Sequence, residues 1–160
     1  MNVPYASQYI TGNTTVQNAA AAGTLLSGFT AGAASQHGEA SAVVSASTGK
    51  FTCKAGVYEV TFHASIEGPL TSDSATSGDT TGFITHQFAK GGTLVTGTKL
   101  GGQDVTDGVR TVISNSAIIE VTAADVVAAT NYIQNYLIGG DASGNDILVR
   151  EARFIIKRLA

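Results

Sequence analysis

Apolar and polar residues alternate most clearly after Gly56. Tyr58, Val60, Phe62, Ala64 and Ile66 share one parity, while Glu59, Thr61, His63, Ser65 and Glu67 share the other. A period of two marks a strand with one buried and one solvated face, so this run reads as a half-buried antiparallel strand. Gly68-Pro69 ends it, and the Ser-, Thr-, Asp- and Gly-rich stretch from Leu70 to Gly82 reads as a long exposed loop. A strand is predicted at Phe83–Ala89. Lys90-Gly91-Gly92-Thr93 then turns the chain into a partner strand at Leu94–Thr98, since paired glycines supply the positive φ of a primed hairpin turn.

Further on, a loop at Gly101-Gly102 precedes strands at Arg110–Ser114 and Ala117–Thr122. The turn Ala123-Ala124-Asp125 leads into a long run, Val126–Ile138. There Tyr132 and Tyr136 take one parity and Ile133 and Leu137 the other, so both faces carry apolar groups and the strand is expected to meet the core on one side and a partner on the other. Gly139 to Asp146 forms a turn, and a last strand runs from Ile147 to about Leu159. No segment predicts a confident helix. Short strands at regular spacing with Gly-rich turns give an all-β fold, a two-sheet antiparallel jelly-roll sandwich with an extended N-terminal arm.

Composition divides the chain at about residue 50. Residues 1–49 carry one charged side chain, Glu39, and include the run Asn18-Ala19-Ala20-Ala21-Ala22-Gly23. They read as an extended arm with short strands near Thr24–Phe29 and Ala40–Ser47, and residues 50–160 as the jelly-roll core of the same single domain. Charged residues make up only 13% of the 160, about half the usual ~25%. Much of the surface is therefore neutral, which suits lasting protein contacts.

The formal net charge is −3. The one basic cluster (Arg150, Arg153, Lys157 and Arg158) is too small for electrostatic nucleic-acid binding. Cys53 is the only cysteine, so no internal disulfide forms. The chain opens without a charged and apolar leader, and no stretch approaches 18 apolar residues. Expectations are no secretory signal, no membrane span and assembly in cytoplasm.

Catalytic and metal chemistry find little support in the residues. Of His37, His63 and His86, the last two lie within predicted strands without a His or Cys neighbour at ligand spacing. Cys53 lacks a nearby base and orienting group. Asp141 to Asp146 places oxygens at alternate positions, but a calcium loop starting at Asp141 needs Gly sixth and Glu twelfth, where Asp146 and Ala152 stand. Phosphate-cradling glycine loops and nucleophile elbows are missing. The expectation is no enzyme, no metal and no cofactor. The candidate residues are instead interface aromatics: Tyr5, Tyr9, Tyr132 and Tyr136, with Phe154 beside them although its strand also offers it to the core. Tyrosine suits interfaces because it joins a large area to a polar tip.

The segment Phe51-Thr52-Cys53-Lys54-Ala55-Gly56-Val57-Tyr58-Glu59-Val60-Thr61-Phe62 resembles the central "aromatic–x–x–x–x–Gly–x–Tyr–x–apolar–x–aromatic" strand of the C1q/tumour-necrosis-factor-like jelly-roll superfamily. In the same order, Lys90-Gly91-Gly92 resembles that superfamily's "Lys-Asn-Gly" hairpin. Ile118 to Val127 resembles its "apolar–x–Leu–x–Ala–Gly–Asp–x–apolar" corner, and Arg153-Phe154-Ile155-Ile156-Lys157 its closing strand. The resemblance spans residues 50–159. Gly91 stands where Asn is frequent and Ala124 where Gly is usual, and no collagen-like or coiled-coil stalk precedes the match.

The resemblance implies a jelly roll, commonly trimeric, that binds other molecules and is not an enzyme. Bacteriophage virion proteins share this kind of domain, and the missing signal and lone cysteine fit that branch. The expectation is a capsid decoration or cement protein at the virion surface, a homo-oligomer and specifically a trimer, with the major capsid protein or another virion protein as partner. The alternative is a receptor- or glycan-binding head of a fibre or spike, using the loops Leu70–Gly82 and Gly101–Gly108. A free-standing C1q-like protein is the third reading.

Overall fold

A computed structural model describes residues 5–11, 15–19, 23–31, 43–47, 49–67, 81–100, 102–106, 109–139 and 145–160. Residues 20–22 of the Ala run, His37, residues 70–80 of the expected loop and residues 140–144 of the expected turn lie outside the described residues. The elements are β1 (Tyr5–Ile10), β2 (Thr15–Ala19), β3 (Thr24–Leu25), β4 (Thr30–Ala31), β5 (Val43–Ser47), β6 (Lys50–Cys53), β7 (Gly56–Glu67), β8 (Thr81–Lys90), β9 (Thr93–Leu94), β10 (Gln103–Thr106), β11 (Arg110–Val121), α1 (Ala123–Val127), β12 (Tyr132–Gly139) and β13 (Asn145–Arg158).

Two antiparallel sheets face each other. Sheet A has the order β11-β7-β13-β1-β4, with β2 also on β13. Sheet B has the order β10-β8-β12-β6-β5, with β3 on β12 and β9 on β8. In β7, Tyr58, Val60, Phe62, Ala64 and Ile66 are all buried, as the alternation predicts. They meet Phe51, Ile84, Phe88, Ile133 and Leu137 of sheet B in one core. Burying such apolar side chains stabilises the sandwich by roughly 1.5–3 kcal/mol each.

Several boundaries differ from the sequence reading. The described strands of the first 49 residues join the two sheets. β1 pairs with β13 from Tyr5↔Lys157 to Ile10↔Ala152, and Ala6 and Ile10 are core residues. The described part of the arm therefore completes the chain's own sheets. The two strands expected at 110–122 are one continuous β11, paired with β7 from Arg110↔Glu67 to Val121↔Gly56. Gln103–Thr106 is a strand on β8, not loop. The partner strand after the Gly-Gly turn closes at Leu94, because Thr98 Oγ1 bonds back to the Val95 carbonyl at 2.8 Å.

The start of the expected strand Val126–Ile138 is instead the short helix α1. Thr122 and Asp125 form a capping box, the Thr122 hydroxyl accepting from the Asp125 amide and the Asp125 carboxylate accepting from the Thr122 amide. Such reciprocal bonds satisfy the open amides of a first turn, so the local sequence overrides the apolar run that follows.

β13 carries the feature that shapes the outer surface. Its register against β7 shifts between Val149 and Glu151, leaving Arg150 as the extra residue of a bulge. Before the bulge, Ile147 and Val149 are buried; after it, Ala152, Phe154 and Ile156 are. The inward parity thus changes once within a single strand.

Candidate functional site

The outward face of sheet A carries most of the exposed aromatic and apolar side chains of the described strands. Straight rows cross its strands. In one, Ser114 lies opposite His63, His63 opposite Arg153, and Arg153 opposite Tyr9. In another, Ile118 lies opposite Glu59, Glu59 opposite Lys157, and Lys157 opposite Tyr5. Tyr5 is 40% exposed, Tyr9 37%, Val112 68% and Ile118 67%. These are the exposed apolar and aromatic side chains of that face among the described residues.

The same face is electrically mixed. Lys157 Nζ lies 3.5 Å from Glu59, and Arg150 lies 2.8 Å from Glu67 beside the bulge. Ser114 Oγ and His63 Nδ1 are 2.8 Å apart. Glu151 and Arg153, two residues apart on β13, form no ion pair among the described residues. They border an open depression of about 650 Å³, walled by Tyr9 and Val112 and lined also by His63 and Ser65.

Sheet B differs. Thr85, Gln87, Ala89, Gln134 and Ile138, on its outward parity, are all buried. Tyr132 and Tyr136 share that parity and are half-buried. The Lys50 ammonium sits 3.8 Å from the Tyr132 ring centre, a cation–π contact within the chain.

The five sequence candidates therefore separate. Tyr5 and Tyr9 stand together on the open face of sheet A, and Tyr132 and Tyr136 lie on the opposite side of the molecule. Phe154 is a correction. It is fully buried, 4.4 Å from Phe51 and 6.2 Å from Phe29 between ring centres, and belongs to the core. The bulge sets its inward direction.

Val112 and Ile118 escaped the sequence reading. Their signal was an apolar residue on the polar parity of β11, shared with Ser114, Ser116 and Glu120. At the far end of β11, α1 presents Val126 and Val127, the latter 89% exposed. Its only charge, Asp125, is turned back to Lys90 Nζ at 2.9 Å and to Thr122, so this tip is neutral and apolar.

Reactive groups are enclosed. Cys53 is buried, and desolvation pushes its thiol up to about 12, so no thiolate forms near neutrality. His86 is buried with Asn135 Oδ1 3.1 Å from Nε2 and Asn115 Nδ2 2.9 Å from Nδ1. That pattern fits a neutral ring with its proton on Nε2. Among the described residues, no group of three His, Cys, Asp or Glu side chains is placed to hold a metal, and no helix is long and apolar enough to cross a membrane.

No family model matches the chain, and no curated protein matches it. Solved structures do. The Eiger tumour-necrosis-factor protein of S. frugiperda is similar with a TM-score of 0.55 at 13% identity, over 98% of this chain and 94% of that one. Murine APRIL at pH 5.0 is similar with a TM-score of 0.53 at 8% identity, over 97% and 99%. With these likenesses covering nearly the whole of each chain, the fold is the two-sheet jelly roll of the tumour-necrosis-factor type.

Proposed function

We propose that this chain is a non-enzymatic structural protein that assembles as a homotrimer and decorates the outside of a bacteriophage head, holding capsid subunits together through protein contacts. The observation that carries the reading is the asymmetry of the sandwich. The outward side chains Thr85, Gln87, Ala89, Gln134 and Ile138 of sheet B are buried, whereas sheet A leaves Tyr5, Tyr9, Val112 and Ile118 open. A stable protein interface covers roughly 800 Å² per partner, and the open side chains of sheet A are the ones available to such a contact. The enclosed Cys53 and His86 fit a protein that binds and does not catalyse. The trimer and the virion role come from the family resemblance. The neutral α1 tip offers such a trimer an apolar contact for a capsid lattice.

Light scattering on the purified protein is expected to give three times the 16.3 kDa chain mass. Purified particles are expected to carry hundreds of copies and, when stripped of the protein, to lose resistance to heat and osmotic shock. A handful of copies, with loss of attachment alone and binding on a glycan array, would replace this reading with that of a receptor-binding head.

A further inference from the structure

We propose that Glu151 and Arg153 form an ion pair between copies of this chain, Glu151 of one against Arg153 of the next, at the middle of the outward face of sheet A. The proposal rests on the self-associating reading above and adds to it one specific contact.

The bulge at Arg150 creates the arrangement. By changing the inward parity of β13 it turns Glu151 and Arg153 outward together, about 7 Å apart along the strand. The cross-strand neighbours of Arg153 are His63 and Tyr9, and that of Glu151 is Ser65. Among the described residues neither forms an ion pair, with the other or with a cross-strand neighbour, whereas Glu59 pairs with Lys157, Glu67 with Arg150 and Asp125 with Lys90.

An acid and a base at fixed spacing on one strand are complementary to themselves. A second copy brings the same two charges, and one rotation sets each against its opposite. A partner of a single sign, such as nucleic acid or an anionic lipid surface, meets repulsion from Glu151 and from a chain of net charge −3. The surroundings favour a tight contact. Tyr9 and Val112 wall the depression that Glu151 and Arg153 border, and apolar groups around a charge pair exclude water and strengthen it. The open volume of about 650 Å³ leaves room for side chains of an approaching copy.

Charge reversal tests the contact. The self-association constant is measured by sedimentation equilibrium for the unaltered chain, Glu151→Arg, Arg153→Glu and the double variant, with circular dichroism confirming the fold of each. Each single reversal is expected to weaken association at least about tenfold, because like charges then face one another, and the double variant is expected to restore it. Neutral Glu151→Gln and Arg153→Gln give smaller losses in the same direction and serve if a reversal misfolds.

Single reversals without effect, or a double variant as weak as the singles, would overturn the pair while leaving self-association standing. Unchanged mass with loss of particle binding would overturn it in favour of a capsid partner. A monomeric unaltered chain would overturn both this contact and the assembly reading beneath it.

Discussion

The imidazole of His86 lies flat on the ring of Phe62, 4.1 Å between ring centres and 8° from parallel, so sheet B presses a titratable group against an aromatic face of sheet A. Phe88 meets the same imidazole edge-on at 4.7 Å. Among the described residues its hydrogen-bonding partners are the side-chain amides of Asn135 and Asn115, with no charged group bonded to the ring. Protonation would therefore place an uncompensated charge in the core.

Burial holds the His86 ring down at about 3 against an ordinary 6.5, the Asn135 hydrogen bond opposing it only in part. The unfolded chain thus binds more protons than the folded one between those values. Stability is expected to be complete above pH 6.5, to fall as pH drops toward 3 and to level off below that, by on the order of 5 kcal/mol over the window. Urea unfolding at a series of pH values measures it. His86→Gln lowers stability at neutral pH, because the cluster is broken, but the slope from pH 6.5 to 4 is expected to flatten. An unchanged slope would remove His86 as its cause.

Asp125 titrates in a lower window. The Lys90 ammonium, and then the Thr122 amide and hydroxyl, hold its carboxylate at about 2 against 3.8. Its contribution is present above 3.8 and lost as pH falls through 2, which separates it from the His86 effect. Asp125→Ala removes the carboxylate half of the capping box and the Lys90 partner together and is expected to cost about 1 kcal/mol at pH 7. Lys90→Met leaves the capping box and is expected to cost less, as exposed ion pairs contribute little. Thermal melting of the two variants ranks them.

Much of the fold was legible wherever one rule acted alone. The parity of β7 named its buried residues because that strand has one core face and one open face from end to end. Elsewhere a second effect intervened. Asn115 and Ser116 looked like a break between two strands. Yet Asn115 sits on the inward parity of an unbroken β11, with its amide bonded to the Thr98 carbonyl at 2.8 Å and to His86. A polar residue can occupy a core position when distant partners satisfy it, and those partners are 17 and 29 residues away. In the same way, nothing local told that Tyr5 would lie beside Lys157. The open face of sheet A was legible only in part: Val112 and Ile118 break the polar parity of β11, but Glu151 and Arg153 face outward because of a bulge.

Phe154 and Tyr9 were candidates of one kind, and their variants are expected to behave oppositely. Phe154→Ala empties a space among Phe29, Phe51 and Phe88 and is expected to cost about 3–5 kcal/mol of folding stability. Tyr9→Ser removes an exposed ring and is expected to change folding stability by no more than about 1 kcal/mol while weakening self-association at least about tenfold. Urea unfolding below the association concentration and light scattering above it give the two readouts. A large folding loss in Tyr9→Ser would assign that residue to the fold and not to the interface.

The hairpin glycines differ although both have positive φ, 59° at Gly91 and 82° at Gly92. A Cβ on Gly91 would lie 2.6 Å from Thr130 Cβ and 3.0 Å from the Thr130 carbonyl oxygen, whereas on Gly92 it would meet only Tyr132 Oη at 3.5 Å. Gly91 also donates its amide to the Tyr132 carbonyl at 2.9 Å, so the turn cannot move away without losing that bond. Gly91→Ala therefore combines backbone strain with a clash and is expected to cost roughly 2 kcal/mol or more. Gly92→Asn keeps a residue tolerant of left-handed φ and is expected to stay within about 1 kcal/mol. Chemical denaturation of Gly91→Ala beside Gly92→Ala decides between this account, which makes Thr130 the constraint and Gly91→Ala the more damaging, and one resting on φ alone, under which the two would be equally damaging.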